Sequence, residues 1–265
     1  TPSKEVPEVI NFIRTIKTKY NKKYPDIDIY LSGIVTMNNT FAESAKNDAK
    51  TLLPLMFLVI FVLMMLLLKS ISGTLATFAV IITSIAAAMG LAGWAGFFLT
   101  GPSSTTPTMV MTLAVADCVH ILSSQFYEMR RGVNKREAIL TSLRINFQPV
   151  FLTSITTAIG FLSLNFSDAP PFRDLGNMVA TGVMLAFLLS ISLFPALLSL
   201  LKFKVAVREE SHNDYMDKFS HFIIKYRTKI LPLSSLFIIA LIIFIPKNEL
   251  NDNFVEYFDH SMDFR

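Results

Sequence analysis

Six apolar runs, at residues 52–68, 75–99, 108–127, 147–166, 175–201 and 230–245, set the limits on what this chain can fold into. Each is close to or above the roughly 20 residues with which an α-helix crosses a bilayer core. In hydrocarbon a backbone must satisfy its own polar groups, so the runs predict a membrane all-α helical bundle of six transmembrane helices. The first and last runs are short, and an amphipathic lead-in extends the first. Composition agrees, at 52% hydrophobic and 17% charged residues with a mean hydropathy of +0.50, values foreign to a soluble domain. A formal net charge of +4 gives no sign of nucleic acid as a partner. The one cysteine, Cys118, excludes an intrachain disulfide and a cysteine-based zinc cluster, and reads as a small packing residue.

Residues 1–50 form the main stretch ahead of the spans and predict a small α+β extramembrane segment. Val6, Val9, Ile10, Ile13 and Ile16 recur at helical spacing. Ile27, Ile29 and Leu31 alternate up to Gly33, which predicts a short β-strand over 27–34. Thr40 and Glu43 have the spacing of a capping box, and the helix behind them runs into the membrane without a linker. That continuity is either a mechanical coupling or a plain connector. The chain opens on TPSKEVPEVINFIR and stops at SMDFR, from which a piece of something longer is expected.

Lysine and arginine in the short connections set orientation. Lys69, then Arg130, Arg131, Lys135, Arg136 and Arg144, then Lys202, Lys204, Arg208, Lys218, Lys225, Arg227 and Lys229 lie on one side, and only Arg173 lies on the other. The first side is therefore expected to be cytoplasmic, with residues 1–50 and the acidic 247–265 outside. The basic 130–144 connection is expected to be helical. Tyr215, Phe219, Phe222, Ile223 and Tyr226 recur at helical spacing within 202–229, as an amphipathic linker on the inner leaflet or as a solvated charge run with incidental aromatics. Close helix packing is expected at Gly90, Gly93 and Gly96 in the second span and at Gly176, Ala180 and Gly182 in the fifth. Pro195 predicts a kink or a freed carbonyl.

Inside the apolar runs, Asp117 and His120 are the ionisable side chains apart from Cys118 and the boundary residue Tyr127. A carboxylate in hydrocarbon costs a few kcal/mol or more, and by default marks an ion or proton pathway. The i, i+3 spacing puts the pair on one helix face, as a proton relay. The alternatives are a structural hydrogen bond for Asp117 and a backbone-satisfied imidazole for His120. Opposing polar groups are expected from Thr153, Ser154, Thr156 and Thr157 of the fourth span. No catalytic or metal site is expected. An aspartyl protease needs two embedded carboxylates, Asp117 and His120 lack a third metal ligand, no serine is singled out against His120, and no P-loop is present. No cofactor is implied beyond protons as the coupling ion.

These residues resemble a known family. The stretch AVADCVHIL is similar to the fourth helix of a resistance-nodulation-division (RND) superfamily half, in its MMPL and Patched-like branch, where a mid-membrane Asp is followed in a bacterial subgroup by His. The stretch TSITTAIGFLSLNFSDAPPFRDLG resembles that family's next helix and outer loop. AFLLSISLFPALL, with Pro195, resembles the helix after it, and NDNFVEYFD the start of the second periplasmic domain. The resemblance implies the following organisation: 1–50 as the end of a periplasmic loop domain, 51–201 as a five-helix sterol-sensing-like core, and 202–229 as a linker. It further implies that 230–246 is the first helix of a second half and that 247–265 begins the second periplasmic domain. By likeness, Asp117 is the relay carboxylate of a proton-motive-force-driven exporter, a secondary transporter rather than an enzyme, in the bacterial inner membrane. A single Asp favours the branch that exports lipids and other hydrophobic molecules. The implied partners are membrane lipids, a hydrophobic substrate and the rest of the chain's own second half, with a homo-oligomer left open. The competing functions are a non-transporting sterol or lipid sensor and an auxiliary subunit of protein translocation.

Overall fold

A computed structural model of the chain describes residues 2–203 and 214–248. Expectations placed on Lys204, Arg208, the side chain of Tyr215 and residues 249–265 lie outside the described residues. The chain divides into two compact units, Thr1–Val207 and Arg208–Arg265, and each is described by itself. Among the described residues six helices are long and apolar enough to cross a membrane, and none of those residues is strand.

The first unit begins with α1 (Pro2–Lys23) and α2 (Ile34–Leu68). Ile10 of α1 is buried, as are Thr36, Asn39 and Thr40 near the start of α2. Arg14 donates to both carboxylate oxygens of Glu43 at 2.8 and 2.9 Å, and Asn39 donates to one of them at 2.8 Å. The strand expected over 27–34 is corrected here: no ladder forms, and α2 starts at Ile34. An isolated alternating segment has no second strand to satisfy its backbone, and Ile27 stays 56% exposed. The expected capping box is corrected as well. Thr40 lies inside α2 and donates to the Thr36 carbonyl at 2.9 Å, while Glu43 serves Arg14. The 35 residues of α2 form one helix of about 52 Å, so the segment outside the apolar run and the span itself are continuous.

The rest of the unit comprises α3 (Ile71–Trp94), α4 (Thr106–Arg130), α5 (Lys135–Leu162), α6 (Pro170–Ile191) and α7 (Leu193–Leu200). Ser70 caps α3 by accepting from the Gly73 amide, and Asn134 caps α5 by accepting from the Glu137 amide. The basic connection after α4 is a tight turn through Gly132, whose φ of +88° suits glycine, so Lys135–Arg144 already belongs to α5.

Helices α3, α4 and α6 pack on one another, α5 covers α4 and α6, and α2 lies chiefly against α3. Three apolar clusters fill the bundle. One joins Val80, Ile121, Leu122, Phe126, Phe194 and Leu198, a second joins Ile81, Ala88, Val110, Ala114 and Ala186, and a third joins Leu175, Val179 and Val183. Helix α4 is the most enclosed, with half its apolar stretch buried against 39% for α3.

Glycine positions decide where helices meet. A Cβ built on Gly182 would lie 2.4 Å from Val110 Cγ2, and one built on Gly176 would lie 2.4 Å from the Phe161 carbonyl oxygen. The close approach expected at Gly90, Gly93 and Gly96 is corrected: nothing lies within 4 Å of a Cβ at any of them. Gly96 instead adopts φ +79° just beyond the end of α3. Pro195 coincides with a break. Helix α6 ends at Ile191, four residues before it, where a proline ring displaces the carbonyl, and α7 restarts at Leu193.

In the second unit α8 (Asp214–Ile242) is one helix across the boundary expected at Lys229. Its Phe222 and Tyr226 rings lie 5.0 Å apart.

Candidate functional site

Asp117 is held by α4, the helix with neighbours on three sides. Its preceding turn is small and apolar, with Ala114 fully buried, and the residues that follow, Cys118 and Ile121, are fully or almost fully buried. Asp117 itself is only 6% exposed, and among the described residues it is the only Asp, Glu, Lys, Arg or His that is buried. No hydrogen bond or ion pair reaches its carboxylate among the described residues. An ionised carboxylate without partners in such a place is costly, so its charge depends on water or a counter-group reaching it.

His120 is placed differently. It is exposed on a stripe of α4 with Thr112, Ala116, Ser123 and Tyr127, and no hydrogen bond or ion pair joins it to Asp117. Spacing of i, i+3 gives adjacency on a helix but also a 60° rotation, enough here to put one residue inside and the other at the open face. The threonines expected opposite are also turned away. Thr153 and Thr156 are exposed, and Thr153, Thr156 and Thr157 donate to the carbonyls of Pro149, Leu152 and Thr153 of their own helix. Of that group only Ser154 is buried.

The polar contacts between α4 and α5, one and two turns along α4 from Asp117, come from a pair that the sequence did not single out. Ser142 of α5 donates to the Ile121 carbonyl, and Asn146 donates to Ser124 Oγ and to the Ser142 carbonyl, each at 2.8 Å. Residues 117, 121, 124 and 128 share one face of α4, and Glu128 at its end lies 3.9 Å from Arg131. From Ser124 to the arginine-bearing end that face carries polar side chains, and the packed side chain of Ile121 lies between them and Asp117. Asp117 to Glu128 spans about 16 Å along the axis, close to half a bilayer core. In the other direction the packed residues are Leu113, Val110 and Met109, embedded in apolar clusters. Asn146 escaped notice because the fourth span was expected to begin at Phe147. Its i, i+4 spacing with Ser142, inside a helix that starts at Lys135, was the available signal.

Gln125 is fully buried with its Oε1 unpartnered, and so are the hydroxyls of Ser84 and Thr106. Among the described residues no three His, Cys, Asp or Glu side chains converge as a metal site. Asn146→Ala is expected to weaken the α4–α5 contact by about 0.6 to 2 kcal/mol. A double-mutant cycle with Ser124→Ala, read by thermal unfolding in detergent, checks it, and additive effects would show that the two side chains are not coupled.

Comparison with known proteins adds family context. A family model described as the MMPL family matches residues 3–217. Protein patched homolog 1 of Danio rerio is 28% identical over 127 residues, 48% of this chain and 10% of that protein. YdgH of Bacillus subtilis, named as a membrane protein, is 24% identical over 196 residues, 71% of this chain and 22% of its own length. A protein of Methanocaldococcus jannaschii, also named as a membrane protein, is 28% identical over 91 residues, covering 34% of this chain and 24% of its own. The chain thus spans less than a quarter of the length of each of these relatives.

Proposed function

Because the chain belongs to the MMPL family, we propose that it supplies helices two to six of the first transmembrane half, and the first helix of the second, of a proton-driven exporter of lipids or other hydrophobic molecules, with Asp117 as the proton-carrying group. The observation that carries the proposal is a buried, unpartnered carboxylate at the middle of the most enclosed helix. It takes a proton from one side and returns it to the other when the packing around it changes. The polar groups of Ser124, Asn146 and Glu128 support access to Asp117 from the arginine-bearing end once the Ile121 side chain moves, and the apolar packing beyond Leu113 closes the opposite direction.

The exposed stripe of α4 through His120, Ser123 and Tyr127 is poorly suited to lipid, and the second half of the same protein is its cover in this proposal. His120 then meets that half, where it pairs with a group of the covering surface. The protein sits in the bacterial inner membrane, with residues 1–50 and 247–265 on the periplasmic side and the arginine-bearing end in the cytoplasm.

Reconstitution of the full-length protein tests the proposal. Export into vesicles is expected to follow an imposed pH gradient and to stop when an ionophore collapses it. Undiminished export after collapse would overturn proton coupling.

A further inference from the structure

We propose that the basic end of α5 carries a binding site for one anionic phospholipid, with its headgroup in a cavity between α5 and α7 and its acyl chain along an exposed aromatic face of α5. The cavity, about 320 Å³, is lined by Lys135, Arg136, Ile139, Leu140 and Ser199, which is room for a phosphoglycerol group. Its wall is built by Lys135, whose Nζ donates to the carbonyls of Ser199 and Leu201 and lies 5.6 Å from the centre of the Phe203 ring. That ammonium covers the C-terminal carbonyls of α7, whose partial negative charge would otherwise oppose a phosphate.

Arg136 is then the cation left for a ligand. It is exposed and makes no hydrogen bond or ion pair among the described residues, and the same holds for Arg144. Residues 136, 140, 144, 147 and 151 share one face of α5. Arg136 and Arg144 are about 12 Å apart along the axis with Leu140 midway, so a phosphate seated at Leu140 lies between two guanidinium groups. Arginine's planar fork suits a phosphate, and two guanidinium groups favour a phospholipid with net negative charge over a zwitterionic one whose own amine offsets the phosphate charge.

Further along the same face the surface turns aromatic. The Phe147 and Phe151 rings stack at 6.2 Å and both lean on Phe187 of α6, at 5.9 and 5.6 Å. Phe147 nonetheless stays 50% exposed, and Leu140 47% exposed. From Leu140, where the phosphate sits, to Phe151 this face runs about 16 Å, most of the length of one extended lipid chain. Charge at one end and open apolar rings along the rest match a single phospholipid lying against α5. The site is independent of Asp117, and Asp117→Asn is expected to leave it intact.

The experiment uses the full-length protein in phosphatidylethanolamine vesicles doped with photoactivatable phosphatidylglycerol. Crosslinked peptides are mapped, and unlabelled phosphatidylglycerol, phosphatidylcholine and inorganic phosphate serve as competitors. Label is expected on residues 135–151, with phosphatidylglycerol competing about fivefold or more better than phosphatidylcholine. The preference is expected to vanish in Arg136→Gln combined with Arg144→Gln and to survive in Arg136→Lys combined with Arg144→Lys. Label confined to other helices, equal competition by the two lipids, or displacement by inorganic phosphate alone would each overturn the proposal, and all three are read on the unaltered protein.

Discussion

Asp117→Asn is expected to abolish gradient-driven export by the full-length protein while leaving its expression and melting temperature close to wild type. The two side chains have the same shape, and the carboxylate has no hydrogen-bond or ion-pair partner among the described residues to lose. Folding therefore has little at stake in the exchange. Coupling has everything at stake: each proton that crosses releases about 2.3 kcal/mol per 100 mV, enough to bias two conformations that differ by a few kcal/mol. A carboxamide carries no proton, so that bias falls to zero. Asp117→Glu keeps a titratable group and is expected to retain part of the transport. Uphill export by the Asn variant would sink the exporter reading. Lipid binding that is equal in wild type and variant, with proton flux in neither, would point to a sensor instead.

Gly176→Ala and Gly182→Ala are expected to be the most damaging single-methyl additions in the bundle. At Gly176 the new carbon would lie 2.4 Å from a backbone oxygen, that of Phe161, and 3.0 Å from Leu164 Cβ. Backbone cannot rotate away as a side-chain tip can, so α5 and α6 must separate. At Gly182 the obstacles are Val110 Cγ2 at 2.4 Å and Ala88 Cβ at 3.1 Å, which ties the strain to the meeting of α3, α4 and α6. Overpacking of this kind costs about 1–3 kcal/mol, and the Gly176 variant is expected at or above the top of that range. Gly90→Ala and Gly93→Ala meet open space and are expected to be neutral or slightly favourable. Thermal unfolding of the four variants in one detergent makes the comparison, and equal shifts across the set would show that the contact between α5 and α6 is looser than described.

The spans were legible because the hydrophobic run is a one-dimensional signal that the bilayer enforces. Asp117 was legible for the same reason, since a charge in such a run stands out wherever its helix goes. What failed needed a neighbour. Alternation at Ile27, Ile29 and Leu31 suits a strand only when a second strand is at hand to pair with it, and none forms among the described residues. Gly90, Gly93 and Gly96 have the spacing of a close-packed seam, yet spacing does not say which face of α3 meets another helix, and Gly176 and Gly182 hold the tight contacts. The threonines of α5 had another outlet. A hydroxyl in an apolar helix can bond its own preceding turn, as Thr153, Thr156 and Thr157 do, so their presence near a buried acid was weak evidence of contact. Asn146 has a second amide hydrogen to place after bonding the Ser142 carbonyl of its own helix, and it reaches across to Ser124 of α4, as Ser142 does to the Ile121 carbonyl.

Helix α2 has a final consequence for movement. Only 6% of its apolar stretch is buried, and within the bundle it rests on α3 through Phe57 and Phe61 against Phe78. Near its start it is gripped by Arg14 on Glu43 and by Phe41, whose ring would lie 3.4 Å from a Cβ on Gly101 in the connection after α3. From Phe41 to Leu68 the rod is about 40 Å long, so a swing of about 5° about that grip carries the far end some 3 to 4 Å, roughly the width of an acyl chain. Spin labels at Leu67 and Leu200 would register that stroke as a broadened distance distribution, and a single narrow distance in every state would leave α2 a fixed post.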